Sequence, residues 1–155
     1  MLIRFDNHLT LYSHNQLYGV WRTAKNGVPP SIRRTLRVAL FTDAGAAFLY
    51  SATDVELCDA DDLAAHEYLR KLGPDVLDAE TTPRVISGVL RSAPFRRRGL
   101  GGLLLNQSCL AGLGNYLRSE ILFVARLHPN QRPGDLSPAD RRRLIHAVKD
   151  VTVRA

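Results

Sequence analysis

The chain has 155 residues, 45% hydrophobic and 23% charged, and carries a formal net charge of +6. That length suits one domain or two small ones and that composition a globular protein, while no run of about 18 apolar residues exists to span a bilayer. The opening MLIRFDNHL lacks the apolar stretch of a signal peptide, and Cys58 and Cys109 stand far apart with no CxxC, which suits the reducing cytoplasm. The charge is uneven: residues 1–77 hold eight Lys/Arg against nine Asp/Glu, and residues 78–155 hold thirteen against six. A basic half beside a neutral one suits either a polyanion-binding surface or a merely solvated basic one.

Residues 1–57 alternate like strands. Leu9, Leu11, Val20 and Trp21 stand beside polar Thr10, Ser13 and Arg22. KNGVPPS (25–31) is a loop by its Asn-Gly and Pro-Pro steps. TLRVALF, the turn DAG and AAFLYS together predict a hairpin over 35–51. Four or five strands are expected in all, forming an open sheet with exposed edges. A short helix is expected at about 62–71, capped by Asp61 and closed before Gly73-Pro74.

GPDVLDAETTP (73–83) reads as a linker. Beyond it the pattern turns helical. Thr82-Pro83 suits a helix start, with Val85, Ile86, Val89 and Leu90 as its apolar side. Further helices are expected at about 100–110, at about 116–126 and from Ser137-Pro138 onward. Between two of them lies LAGLGNYL (110–117). Gly112 or Gly114 can take the left-handed conformation that ends a helix, and Asn115 stands where the next helix wants a cap. That is either a tight turn alone or a turn that also holds a phosphate on bare helix amides.

The wording of LLLNQSCLAGLGNYLRSEILFVARLHP (103–129) resembles the helix–two-turn–helix (H2TH) segment of the formamidopyrimidine-DNA glycosylase / endonuclease VIII family. LTLYSHNQLYGVWR (9–22) and YLRKLGPDVLD (68–78) resemble the endonuclease VIII branch. The resemblance implies an α+β fold. Residues 1–72 would be the C-terminal part of a β-sandwich, 73–83 a linker, and 84–155 the H2TH DNA-binding domain. It implies base-excision repair of oxidised pyrimidines by a glycosylase and AP lyase, with damaged double-stranded DNA as partner, in a monomer with no membrane contact.

Site residues follow from the same resemblance. Gln16, Leu17 and Tyr18 match a wedge that fills the space left by a flipped nucleotide; on the residues alone, core Leu and Tyr at a strand end fit as well. Asn115 matches the asparagine that holds a phosphate beside the lesion. Lys71 stands where this branch often has arginine on the DNA backbone, without the bidentate fork. Arg96, Arg97 and Arg98 suit either phosphate attraction or a solvated turn, and Arg141–Arg143 a solvated helix face. Glu120 matches a family glutamate to which no role attaches.

The family's catalytic groups are an N-terminal proline amine, an adjacent glutamate and a hairpin lysine. None has a counterpart here, so no catalytic residue is assigned. The four cysteines of the family zinc finger are likewise missing, so no cofactor is expected in this chain. The sequence thus reads as the middle of an endonuclease VIII-like protein. It would be a DNA-binding fragment, a catalytically silent binding module, or a gene remnant.

Overall fold

A computed structural model of the chain describes residues 1–16 and 18–155. They form two compact units, Met1–His66 and Glu67–Ala155.

The first unit is built from strands β1 (Leu2–Arg4), β2 (Thr10–His14), β3 (Val20–Ala24), β4 (Leu36–Thr42), β5 (Gly45–Tyr50) and β6 (Asp54–Cys58), followed by helix α1 (Ala60–Ala65). Two three-stranded antiparallel sheets result, ordered β1-β2-β6 and β3-β5-β4. The expected hairpin is there: β4 and β5 pair from Leu36 opposite Tyr50 to Thr42 opposite Gly45. Gly45 has φ +142°, and a Cβ on it would stand 2.9 Å from the Ala24 carbonyl oxygen. Ala46, Phe48 and Tyr50 are buried among Val20, Ala24, Ile32 and Ala39.

One open sheet of four or five strands is therefore corrected to two sheets of three. β2 and β3 are neighbours in sequence yet belong to different sheets. β2 is the centre of its sheet, and Thr10, Leu11, Tyr12 and Ser13 are all buried there. The alternation marks the strands, but the sheet each one joins depends on partners from distant chain segments, which leave no local signature.

Helix α1 is also shorter than expected. Asp59, not Asp61, is its cap, accepting from the Asp62 amide at 2.8 Å while the Asp62 carboxylate accepts from the Asp59 amide at 3.3 Å. This reciprocal pair fixes the start two residues early. No residue of α1 is buried, so packing does not extend it, and only a 3₁₀ turn, Leu69–Lys71, follows.

The second unit holds α2 (Pro83–Arg91), α3 (Leu100–Leu103), α4 (Asn115–Ala125) and α5 (Pro138–Arg154). Thr82 and Ser137 cap α2 and α5, each followed by proline at the first helical position. Ile86, Leu90, Leu100, Leu103, Leu104, Leu110, Ile121, Leu144 and Val148 form one core, each at most 1% exposed. Each such side chain contributes roughly 1.5–3 kcal/mol relative to exposure.

The helix expected over 100–110 is a single turn. Asn106 ends it: its side-chain oxygen accepts from the Ser108 amide at 3.0 Å and the Ser108 hydroxyl at 2.7 Å, a local alternative to helical bonding. Leu104 and Leu110 are nevertheless fully buried, so their spacing reported burial rather than helix.

Residues 73–83, expected as a linker between 1–72 and 84–155, are packed within the second unit. Val76 is 1% exposed in the core, and its amide donates to the Ala111 carbonyl at 3.1 Å. The Ala111 amide returns a bond to the Pro74 carbonyl at 2.9 Å. The division of the chain falls instead between His66 and Glu67.

Candidate nucleic-acid interface

The turn before α4 has a definite geometry. Gly112 takes φ +94°, in the left-handed region that favours glycine, and Gly114 is extended at φ −111°. Gly114, not Asn115, is the N-cap, and Asn115 is the first residue of α4. Gly114 has no side chain, so no side chain caps this helix. The first turn contains no acidic residue. The amides of Asn115, Tyr116 and Leu117 thus have no intrahelical acceptor, and Asn115 and Tyr116 are exposed. Amides with positive partial charge, an exposed carboxamide beside them and Arg118 one turn on make a suitable seat for an anion.

The far end of α4 is held by α5. Arg126 closes the helix in the left-handed conformation at φ +54°. The Arg143 guanidinium donates to the Ala125 carbonyl at 3.1 Å and pairs with Asp140, while Arg141 donates to the Leu136 carbonyl at 3.1 Å. Of the three arginines expected as a solvated face, Arg141 and Arg143 are therefore engaged with backbone. Arg96, Arg97 and Arg98 are exposed.

Lys71 lies on the 3₁₀ turn, 68% exposed, with its ammonium 2.5 Å from the Glu67 carboxylate. That bond, and the charge behind it, holds the Glu67 carboxyl below its ordinary 4.5. Two residues on, the Gly73 amide donates to the Gln107 carbonyl at 2.8 Å. A Cβ on Gly73 would stand 2.6 Å from the Ser108 and Cys109 carbonyl oxygens, so only glycine allows this approach. The segment bearing Lys71 and the loop leading to Asn115 are joined there.

In the first unit, the Gly19 amide donates to the Asn15 carbonyl at 2.7 Å, and Gln16 and Tyr18 lie in turn conformation between them. Gln16 is exposed and has φ +45°, an uncommon conformation for a residue with a Cβ. Tyr18 is 67% exposed, and its carbonyl accepts from the Arg34 guanidinium. Tyr18 is thus not a core residue at a strand end. Leu17 lies outside the described residues. Gln107, Arg34 and Gly19 escaped the sequence reading, because a residue that acts by holding backbone has no motif of its own.

Among the described residues, no three His, Cys, Asp or Glu converge, and the two cysteines are free, buried and in different units. The Met1 amine donates to the Ser13 carbonyl at 2.7 Å, and burial lowers its pKa. Lys149 is turned to the Val76 and Asp78 carbonyls.

Residues 72–155 match the family model described as Formamidopyrimidine-DNA glycosylase H2TH domain. The chain is 50% identical over 151 residues to the Endonuclease 8 proteins of Escherichia coli and Salmonella arizonae. That alignment covers 97% of this chain and 57% of each relative, so the chain spans somewhat over half the length of these proteins. Among solved structures, the Lactococcus lactis formamidopyrimidine-DNA glycosylase bound non-covalently to DNA containing an AP site matches with a TM-score of 0.75. It is 20% identical, with 99% of this chain and 58% of that one covered. The same glycosylase with DNA containing FAPY-dG also matches, at a TM-score of 0.75 and 21% identity. The α+β fold, the H2TH helices of the second unit and the likeness to Endonuclease 8 along nearly the whole chain place it in the formamidopyrimidine-DNA glycosylase / endonuclease VIII family.

Proposed function

We propose that this chain is the DNA-holding part of a base-excision repair enzyme, a DNA glycosylase and AP lyase directed at oxidised pyrimidines. The observation that carries the reading is the start of α4, uncapped and free of acidic residues, with Asn115 exposed at its first position. A phosphate there accepts from the amides of residues 115–117 and from the Asn115 carboxamide. Lys71 and the basic half of the chain add sequence-independent attraction to the backbone. Gln16 and Tyr18, exposed on one turn, serve as the wedge, Tyr18 by stacking and Gln16 by bonding a base edge. Two free, buried cysteines suit a reducing compartment such as the cytoplasm.

We assign no catalytic residue.

The test is binding of the 155-residue chain to an abasic-site duplex over a salt series, with borohydride added in parallel. Binding that weakens with salt and leaves no covalent adduct is expected. Asn115→Ala should weaken it by about tenfold, as expected for loss of a charge-assisted hydrogen bond. An absence of binding overturns the reading, and a strong adduct would assign a catalytic amine to this chain.

A further inference from the structure

We infer that Gln107 is the positioning residue for Asn115. The inference rests on the phosphate-holding reading of the turn before α4. Gln107 is half-buried, and its carboxamide is used at both ends. The oxygen accepts from the Gly112 amide at 3.0 Å. The nitrogen donates to the Leu113 carbonyl at 2.8 Å and to the Leu105 carbonyl at 3.2 Å. These bonds bracket the left-handed Gly112 and stop one residue short of the cap, Gly114. The backbone path from Gly112 to Asn115 is therefore set by a side chain that never reaches the ligand.

The chemistry asks for this residue type. Among uncharged side chains, only a carboxamide offers an acceptor oxygen together with two N–H donors, as the one bond accepted and the two donated here require. Glutamate cannot donate, lysine cannot accept, and asparagine is one methylene short. The main chain of Gln107 is fixed as well, since its carbonyl takes the Gly73 amide at 2.8 Å. One residue thus joins the segment bearing Lys71 to the turn bearing Asn115, so both backbone-contacting groups share one rigid support.

A double-mutant cycle on the full 155-residue chain tests this. Gln107→Met keeps the length and removes all three side-chain bonds. Binding to an abasic-site duplex is measured by fluorescence anisotropy for wild type, Gln107→Met, Asn115→Ala and the double variant. If Gln107 acts through Asn115, Gln107→Met weakens binding by about fivefold or more, and the double variant binds no worse than Asn115→Ala alone. Unchanged affinity, or losses that multiply in the double variant, overturns the inference, since a general structural fault costs the same with or without Asn115. Should Gln107→Met fail to fold, Gln107→Glu takes its place in the same cycle, keeping the bond from Gly112 and losing the two donations. Amide hydrogen exchange separates this inference from the reading it rests on. If even the wild type ignores DNA, the phosphate reading falls. Faster exchange in Gln107→Met confined to residues 112–117 would then still uphold the positioning role, and unchanged exchange would end it.

Discussion

The Lys149 ammonium donates to the Val76 carbonyl at 2.8 Å and to the Asp78 carbonyl at 3.4 Å, tying α5 to a segment some seventy residues earlier. Val76 itself is buried in the core of the second unit. The bond therefore fixes residues 73–83 as part of that unit. Lys149→Met removes the charge and keeps most of the stem. It should destabilise the chain by about 1–3 kcal/mol, the range for hydrogen bonds to charged groups and for a carbonyl left without its partner. Urea unfolding checks this through the midpoint at constant slope. A midpoint unmoved by Lys149→Met would mean that water replaces the ammonium at no cost.

That contact also shows where the sequence was legible and where it was not. Thr82-Pro83 and Ser137-Pro138 carried the starts of α2 and α5 because capping is a local signal, complete within four residues. The hairpin over 35–51 was readable for the same reason. The stretch 73–83 looked like a linker because its Gly, Pro, Asp and Thr do favour turns, and Asp75 and Asp78 each accept from an amide two residues on. Nothing local announces that Ala111 and Lys149 will take up its backbone groups. In the candidate interface, Asn115 and Tyr18 could be singled out through their motifs, and both are exposed in the fold. Gln107 and Arg34 could not be singled out, because each acts only by bonding backbone that folding brings to it.

Lys71 and Glu67 form an exposed ion pair, so a phosphate that draws on Lys71 competes with a carboxylate of its own chain. Glu67→Gln should free the ammonium and strengthen DNA binding by about two- to threefold at low ionic strength, the gain fading as salt screens it. The pH dependence has a definite sign. The Glu67 pKa is depressed below 4.5 in the fold, so the pair's contribution is present above that pH and is lost as pH falls through the folded value. At neutral pH the competition is therefore fully in force. Anisotropy titrations of both proteins over a salt series decide it. Equal affinities at the lowest salt would show that Lys71 plays no part in holding DNA.

Gly19 closes the turn that presents Gln16 and Tyr18. A Cβ there would stand 2.5 Å from the Asn15 Cβ and 2.6 Å from its Cα, far inside contact distance, and the obstacle is backbone. Gly19→Ala should therefore force the turn open and destabilise the first unit by about 1–3 kcal/mol, as overpacking does. Tyr18→Ala should behave in the opposite way. Its ring is mostly exposed, so the melting temperature should hold while the preference for an abasic duplex over an intact one falls. Thermal melts and paired binding curves distinguish the two. A Tyr18→Ala protein that keeps its preference would remove Tyr18 from the wedge.

Cys109 is fully buried in the core of the second unit, and burial pushes its thiol from an ordinary 9.0 up to about 11, with Arg98 pulling weakly the other way. Roughly one thiol in a thousand is then ionised at pH 8, and the thiolate is the form that reacts. Iodoacetamide at pH 8 should leave Cys109 untouched in the folded chain and modify it readily in urea. The same shift sets a stability window. A pKa raised in the folded state contributes stability that is complete below the unfolded value and is lost as pH rises through the folded one. The window therefore runs from about pH 9 to about pH 11. Cys58 is shifted upward too, by burial first and then by Glu56, Asp62 and Asp59, so wild type alone does not isolate Cys109. Cys109→Ala does: its urea midpoint should fall less steeply than that of wild type between pH 9 and pH 10.5, because the unfolded chain no longer gains stability by ionising a thiol that stays protonated in the fold. Parallel slopes for the two proteins would show that the Cys109 thiol titrates with the same pKa folded and unfolded, and that the core at α4 and α5 admits solvent to it.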